Sequence, residues 1–218
     1  MARLGLSIYP ENSTLEKDLE YLRLAGKYGF SRVFTCLLSV GDEPKEELME
    51  KFRVRIDEAH ENGMEVILDV NPAVFEKLGV SYDDLSVFSQ MHADGIRLDE
   101  GFNGMKASRL SFNSWGLKVE MNASTEMGFI EDVVSHFPNR EKLIACHNFY
   151  PQKYTGISLE HFNYCNSYIK ERRLKVAAFV SSQNKEAVGP WPLAEGLCTL
   201  EMHRGLPMDF QARHLFAT

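Results

Sequence analysis

The stretch EVILDVNP, residues 65–72, is a short apolar run that ends in polar residues, and the same construction recurs along the chain. Residues two apart on a β-strand share a face, so Asp69 and Asn71 line up at the end of a run otherwise made of Val, Ile and Leu. Seven further runs read the same way: LGLSIYPE (4–11), RVFTCLLS (32–39), GIRLDEG (95–101), KVEMNAST (118–125), LIACHNFYP (143–151), KVAAFVSS (175–182) and TLEMHR (199–204). The same parity aligns Ser7 with Tyr9 and Glu11, Arg97 with Asp99, Glu120 with Asn122, and Glu201 with His203. An apolar core rejects such groups, because each unpaired buried polar group costs about 1–3 kcal/mol. Charged residues at the carboxyl ends of parallel strands are instead where barrel enzymes build their sites.

Helical segments separate the runs. Ser13 with Glu16 reads as a capping box ahead of an apolar stripe of Leu15, Leu19 and Leu22, and Gly29 supplies the stop. Pro44 opens a helix carrying Leu48, Phe52, Ile56 and Ala59, which Gly63 closes. Ser81 with Asp84 starts a third, with Leu85, Phe88 and Met91 inward. The segment from Thr125 to Phe137 turns Phe129, Ile130, Val133, Val134 and Phe137 inward. Ser158 begins a helix with Phe162, Cys165 and Ile169, and Pro207 opens one with Phe210 and Leu215 facing the core. Two crossovers are weaker: NGMKASRLSFNS (103–114) reads as irregular, and NKEAVGPWPLAEG (184–196) holds at most a turn of helix. Eight alternating β and α units predict a closed (β/α)8 TIM barrel, an α/β fold in one domain over residues 1–218. Neither GxGxxG nor GxxxxGK[ST] occurs, which removes the main nucleotide-binding rivals.

The 218 residues suffice for a sizeable core, and 44% hydrophobic with 25% charged residues is the balance of a globular protein. A net charge of −7 argues against nucleic acid or an anionic membrane as partner, while leaving room for a local basic pocket. Cys36, Cys146, Cys165 and Cys198 form no CxxC pair and read as reduced thiols. No stretch approaches bilayer-spanning length, and the first run starts too early for a signal peptide, so the expected compartment is the cytoplasm.

The strand-end carboxylates are Glu11, Asp69, Asp99, Glu120 and Glu201, with Glu100 beside Asp99. Two carboxyl groups across a pocket suit glycoside hydrolysis, one protonating the leaving oxygen while the other attacks or activates water. Asp69, Asp99, Glu120 and Glu201 are the catalytic candidates; for any single one, an ion pair or a helix cap is an equal alternative. Pairing with Arg97 would make Asp99 a poor general acid but a reasonable nucleophile or charge stabiliser. In the run from Cys146 to Pro151, Phe149 and Tyr150 offer faces for sugar C–H groups, and His147 and Asn148 offer bonds to hydroxyls. The plainer reading packs Phe149 in the core and bonds His147 to a backbone carbonyl. Barrels often bind phosphate in the loops after strands seven and eight. Here those loops carry Ser181, Ser182, Lys185, Gly196 and Arg204, and Arg204 suits a bidentate anion contact. Trp191 between two prolines is a stacking platform or a rigid plug. His147, His203, Asp69 and Glu201 have metal-ligating side chains but match no compact motif, so no metal or cofactor is assigned.

Nine stretches together carry a resemblance: SIYPE (7–11), GFSRVFTCLLS (29–39), EVILDVNPAVFEKLG (65–79), GIRLDEGF (95–102), NAST (122–125), ACHNFYPQKYTGIS (145–158), AAFVSS (177–182), GPWPLAEGLCTLEMHRGLP (189–207) and QARHLFAT (211–218). From about Ser7 to Thr218 the chain resembles the bacterial 6-phospho-N-acetylmuramidase family, also described as outer surface protein-like. The resemblance implies a cytoplasmic TIM-barrel glycosidase of peptidoglycan recycling. Its substrate would be N-acetylmuramic acid 6-phosphate joined β-1,4 to N-acetylglucosamine, cleaved by water without a cofactor. The family usually continues into a smaller cyclophilin-like domain, which these 218 residues do not contain. Arg204, Lys185 and Arg97 would then meet the phosphate and the lactyl carboxylate, Tyr150, Tyr154 and Trp191 the sugar rings, and Asn122 and Asn148 the N-acetyl group. Tyr9, Glu11, Asn71, His147, Ser181, Ser182 and His203 would complete the ring of substrate contacts. The N-acetyl group is an alternative nucleophile. A metal-dependent sugar-phosphate isomerase or epimerase, and a muropeptide sensor without turnover, are the other readings. The oligomeric state is left open.

Overall fold

The structure is a computed structural model that describes residues 3–38, 41, 43–124, 127–191 and 193–218. Ser39, Thr125 and Pro192, which the expected runs and loops include, lie outside the described residues. Seven strands, β1 (Gly5–Ile8), β2 (Arg32–Cys36), β3 (Glu65–Val70), β4 (Gly95–Leu98), β5 (Lys118–Asn122), β6 (Leu143–Cys146) and β7 (Lys175–Ala177), pair in parallel in chain order. Among the described residues the helices are α1 (Leu15–Lys27), α2 (Lys45–Glu61), α3 (Pro72–Leu78), α4 (Ser86–Gln90), α5 (Gly104–Leu110), α6 (Met127–Ser135), α7 (Leu159–Glu171) and α8 (Met208–Ala217).

Strand parity separates two kinds of interior. Leu68, Val70, Ile96, Leu98, Val119 and Met121 belong to the apolar core shared with the helices, as does Phe52 of α2 and Phe88 of α4. The other face carries one row across four strands, Cys36 beside Asp69, Asp69 beside Arg97, and Arg97 beside Glu120. The sheet curls around this row. Arg32 of β2 donates to Glu120 of β5, and Lys118 of β5 donates to Glu65 of β3. The ring of Phe34 on β2 comes within 5.2 Å of the ring of Phe179, past the end of β7.

In place of the expected closed eight-stranded barrel, the described residues form a seven-stranded parallel half-barrel. In the eighth run, Glu201–His203 form a 3-10 turn, not a strand. The spacing decides this: Glu201 and Arg204, three residues apart, close on each other as a two-bonded ion pair, which a pleated strand would turn to opposite faces. The residues just before them are held by loops, Cys198 O accepting from Tyr150 N–H and Thr199 O from Ile157 N–H. Between β1 and β7 the curled sheet stays open as a cleft of about 1980 Å³, lined among others by Leu6, Ser7, Cys146, Val176 and Phe179.

Several local expectations also change. Thr14, not Ser13, caps α1, and Leu15 stays exposed while Leu22 is buried. The third helical region is two helices: Asn71 caps α3, with Pro72 preset for the first turn, and α4 begins only at Ser86. Ser81 and Asp84 form an isolated bridge in between. The stretch after β4 holds a regular helix, α5, capped by Asn103. Phe137 is 87% exposed with φ 54°, and Phe210 is also exposed, so neither faces the core.

Helix α1 is tied to α2 by Arg55, whose Nε donates to Asp18 Oδ2 at 2.6 Å, both side chains being buried. Asp18→Asn leaves Arg55 buried without a counter-charge and should cost about 3 kcal/mol in urea unfolding. A loss below about 1 kcal/mol would mean that the pair does not hold the two helices together.

Candidate active site

The carboxyl ends of β3 and β4 set the centre of the site. Arg97 is buried, and its Nη1 donates to Asp69 Oδ1 at 3.0 Å and to Asp99 Oδ1 at 3.1 Å. Its Nη2 donates to Asn148 Oδ1, just past β6. Because both carboxylates share one nitrogen, their bonded oxygens lie at most about 6 Å apart. The two acids differ in surroundings. Asp69 is sealed in, with 5% of its side chain exposed, whereas 26% of Asp99 meets solvent.

Burial pushes the Asp69 carboxyl up to about 6; Arg97 pulls it down, while Asp99 and Glu120 push it further up. Asp69 therefore keeps its proton to a higher pH than an ordinary aspartate does. Three polar atoms at the carboxyl ends of the strands are buried without a hydrogen-bond partner: Tyr9 OH, Asn122 Nδ2 and Tyr150 OH. Asn122 has its other amide atom occupied, Oδ1 accepting from Ser124 N–H. Such orphans cost stability unless a ligand completes them. On the seam side the mouth is walled by aromatic edges, Phe34, Phe149 and Phe179, with Trp191 6.1 Å from Phe149 and half exposed.

The remaining expected residues divide clearly. Glu120 follows Arg97 in the same row, fully buried and bonded to Arg32. Glu201 accepts from both nitrogens of the Arg204 fork at 2.7 Å and from the N–H groups of Tyr154 and Gly156. Arg204 also donates to the carbonyls of Tyr150 and Glu195, so its N–H groups are spent on the loop. Glu11 takes Lys51, and Asn71 caps α3. His147 is buried between Ser124 Oγ and Asn166 Oδ1, and burial pushes it down to about 4, which keeps it neutral. Ser124 Oγ also accepts from Asn148 N–H, so His147 helps aim Asn148 at Arg97. His203 is buried against His214 of α8. Ser181 is buried, accepting from Leu197 N–H, while Ser182, Lys185 and Tyr154 are exposed. Among the described residues there is no cluster of three or more His, Cys, Asp or Glu that could hold a metal, and no helix long and apolar enough to cross a membrane.

Sequence reading passed over Arg32, Phe34, Phe179 and Ser124. Arg32 and Phe34 share the parity of Cys36 and face the same interior, a signal present in RVFTC but masked by its apolar neighbours.

The family described as 6-phospho-N-acetylmuramidase, N-terminal, matches residues 4–218. The chain belongs to this family. Among solved structures, an uncharacterized B. cereus protein is 47% identical with a TM-score of 0.86, covering 99% of this chain and 57% of that one. A conserved Enterococcus faecalis protein of unknown function is 26% identical with a TM-score of 0.79, over 94% of this chain and 55% of that one. The chain therefore spans little more than half the length of the solved relatives it matches. None of the curated proteins matches it.

The Glu201 carboxyl is held down to about 2, first by Arg204 and then by the two loop N–H groups, against the opposing pull of burial. A depressed carboxylate stabilises the fold above its unfolded value near 4.5, and that stability disappears as pH falls toward 2. Discounted for partial exposure, Glu201→Gln should cost about 1–2 kcal/mol at pH 7 and almost nothing near pH 2. Equal costs at both pH values, read from urea midpoints, would contradict the assignment.

Proposed function

We propose that this chain is the sugar-cleaving half-barrel of a 6-phospho-N-acetylmuramidase. It hydrolyses the β-1,4 bond between N-acetylmuramic acid 6-phosphate and N-acetylglucosamine. The observation that carries the reading is the pair of carboxyls on one guanidinium, Asp69 sealed in and raised to about 6, Asp99 open to solvent. The description of the family supports the choice of substrate class.

In this reading Asp69 is the general acid. It protonates the glycosidic oxygen as the bond to the anomeric carbon breaks, and takes a proton back from water afterwards. Asp99 faces the anomeric carbon, as nucleophile or as the carboxylate that orients the substrate's own N-acetyl oxygen for attack. The separation of about 6 Å or less fits a retaining outcome; inverting enzymes keep about 6.5–9.5 Å for a water between the groups. Tyr9, Asn122 and Tyr150 supply the unpaired donors for hydroxyl and N-acetyl oxygens. Phe149 and Trp191 offer rings to the sugar faces. Lys185, exposed on the loop after β7, is the cation offered to the phosphate, whereas Arg204 already serves Glu201. The reaction takes place in the cytoplasm as part of cell-wall recycling, and it needs no cofactor.

Incubation of the chain with the phosphorylated and unphosphorylated disaccharides, followed by mass spectrometry, tests the reading. The phosphorylated sugar should be split, with kcat/KM falling above about pH 6 as Asp69 loses its proton. Asp69→Asn should lower kcat by about a thousandfold, with the fold unchanged. Full turnover by Asp69→Asn, or equal cleavage of both sugars, would overturn the assignment; binding without cleavage would favour a sensor.

A further inference from the structure

Beside Asp69 and Asp99, the same row of charge continues into a buried pair that the proposed chemistry does not use. Glu120 is fully buried. Its Oε2 accepts from Arg32, and its Oε1 faces Arg97 Nε at 3.8 Å, too far for a hydrogen bond. Neither Oε1 nor Nε has another partner. Arg97 is therefore shared between Asp69 and Asp99 on one hand and Glu120 on the other, while Glu120 is shared between Arg97 and Arg32.

We propose that Glu120 is a positioning residue that, with Arg32 as its counterweight, sets how much of the Arg97 charge reaches Asp69. The proposal rests on the reading of Asp69 as the acid, but its physical content is a property of the resting protein. The groups facing this row are Tyr9 just past β1, Arg32 and Cys36 from β2, Asp69 from β3, Arg97 from β4 with Asp99 just past it, and Cys146 from β6; Glu65 of β3 also faces Arg32, and Lys118 and Arg3 match its charge. Three carboxylates share two guanidiniums, an excess of one negative charge. That excess opposes ionisation of Asp69, the member sealed from solvent. Neutralising Glu120 removes the excess and returns Arg97 to the two aspartates. Removing Glu120 and Arg32 together takes away one charge of each sign and restores it.

The test is the titration of Asp69 followed by carboxyl carbon NMR on the 218-residue chain without substrate, with a urea midpoint for each variant. In Glu120→Gln the Asp69 midpoint should fall by about one pH unit. In Glu120→Gln with Arg32→Met it should return toward the wild-type value, since an apolar side chain of similar volume tolerates the site. A general structural defect would instead deepen in the double variant. An unmoved Asp69 midpoint in folded Glu120→Gln, or no recovery in the double variant, would overturn the proposal. Should Glu120→Gln not fold, Arg32→Met alone leaves three carboxylates on one guanidinium and should move the midpoint upward; no upward movement would overturn it equally. Absence of disaccharide cleavage would count against the proposed function, whereas the Asp69 midpoints, measured without substrate, would still decide the role of Glu120.

Discussion

A single buried guanidinium organises the interior. Arg97 cannot shed its proton, so every direction in which it points must offer an acceptor. The fold supplies Asp69, Asp99, Asn148 and Glu120. Each acceptor brings its own requirement. Glu120 is viable in a fully buried position only because Arg32 reaches it from β2, and Asn148 is aimed by Ser124, which His147 holds in turn. Where many barrels fill their interior with branched aliphatic layers, this one fills it with a chain of alternating charge. At the amino end of the strands the chain continues as Lys118 and Arg3 on Glu65.

Such an interior gains little net stability from its ion pairs, because desolvation offsets most of the Coulomb attraction. Stability comes instead from the apolar layer between sheet and helices, where Leu68, Ile96, Leu98, Val119 and Phe88 are fully buried. The two layers divide the work by strand parity. One face of each strand holds the fold together, and the other holds charges in positions that water would otherwise scramble.

The open seam between β1 and β7 follows from how the last strands are composed. β7 pairs for only three residues, and Phe179, two residues beyond it, joins the aromatic wall. The segment after it carries Glu201, a carboxylate that needs several donors. The Arg204 fork and two loop N–H groups provide them locally, which a place between two strands would not. Local satisfaction of one charge thus outweighs a strand ladder, and the sheet stays a half-barrel.

The residue order of the strands, the parallel α/β class and most helices were legible because they rest on local rules: period-two runs, caps and glycine stops. Asp69, Arg97 and Asp99 were legible as one group for the same reason, since strand parity alone puts them on one face. Two things were not. Which distant groups complete a charge at the sheet depends on residues about 50 to 90 positions away, as with Asn148 on Arg97 and Arg32 on Glu120. Whether the eighth run becomes a strand depends on competition between a ladder and a local ion pair, which only the assembled loops resolve. The sequence by itself determined the polar-tipped strands and the carboxylates they carry. The tertiary structure decided which of those carboxylates are spent on the fold and which one keeps its proton to a raised pH, because burial and charge pairing are properties of the packed interior and not of the chain.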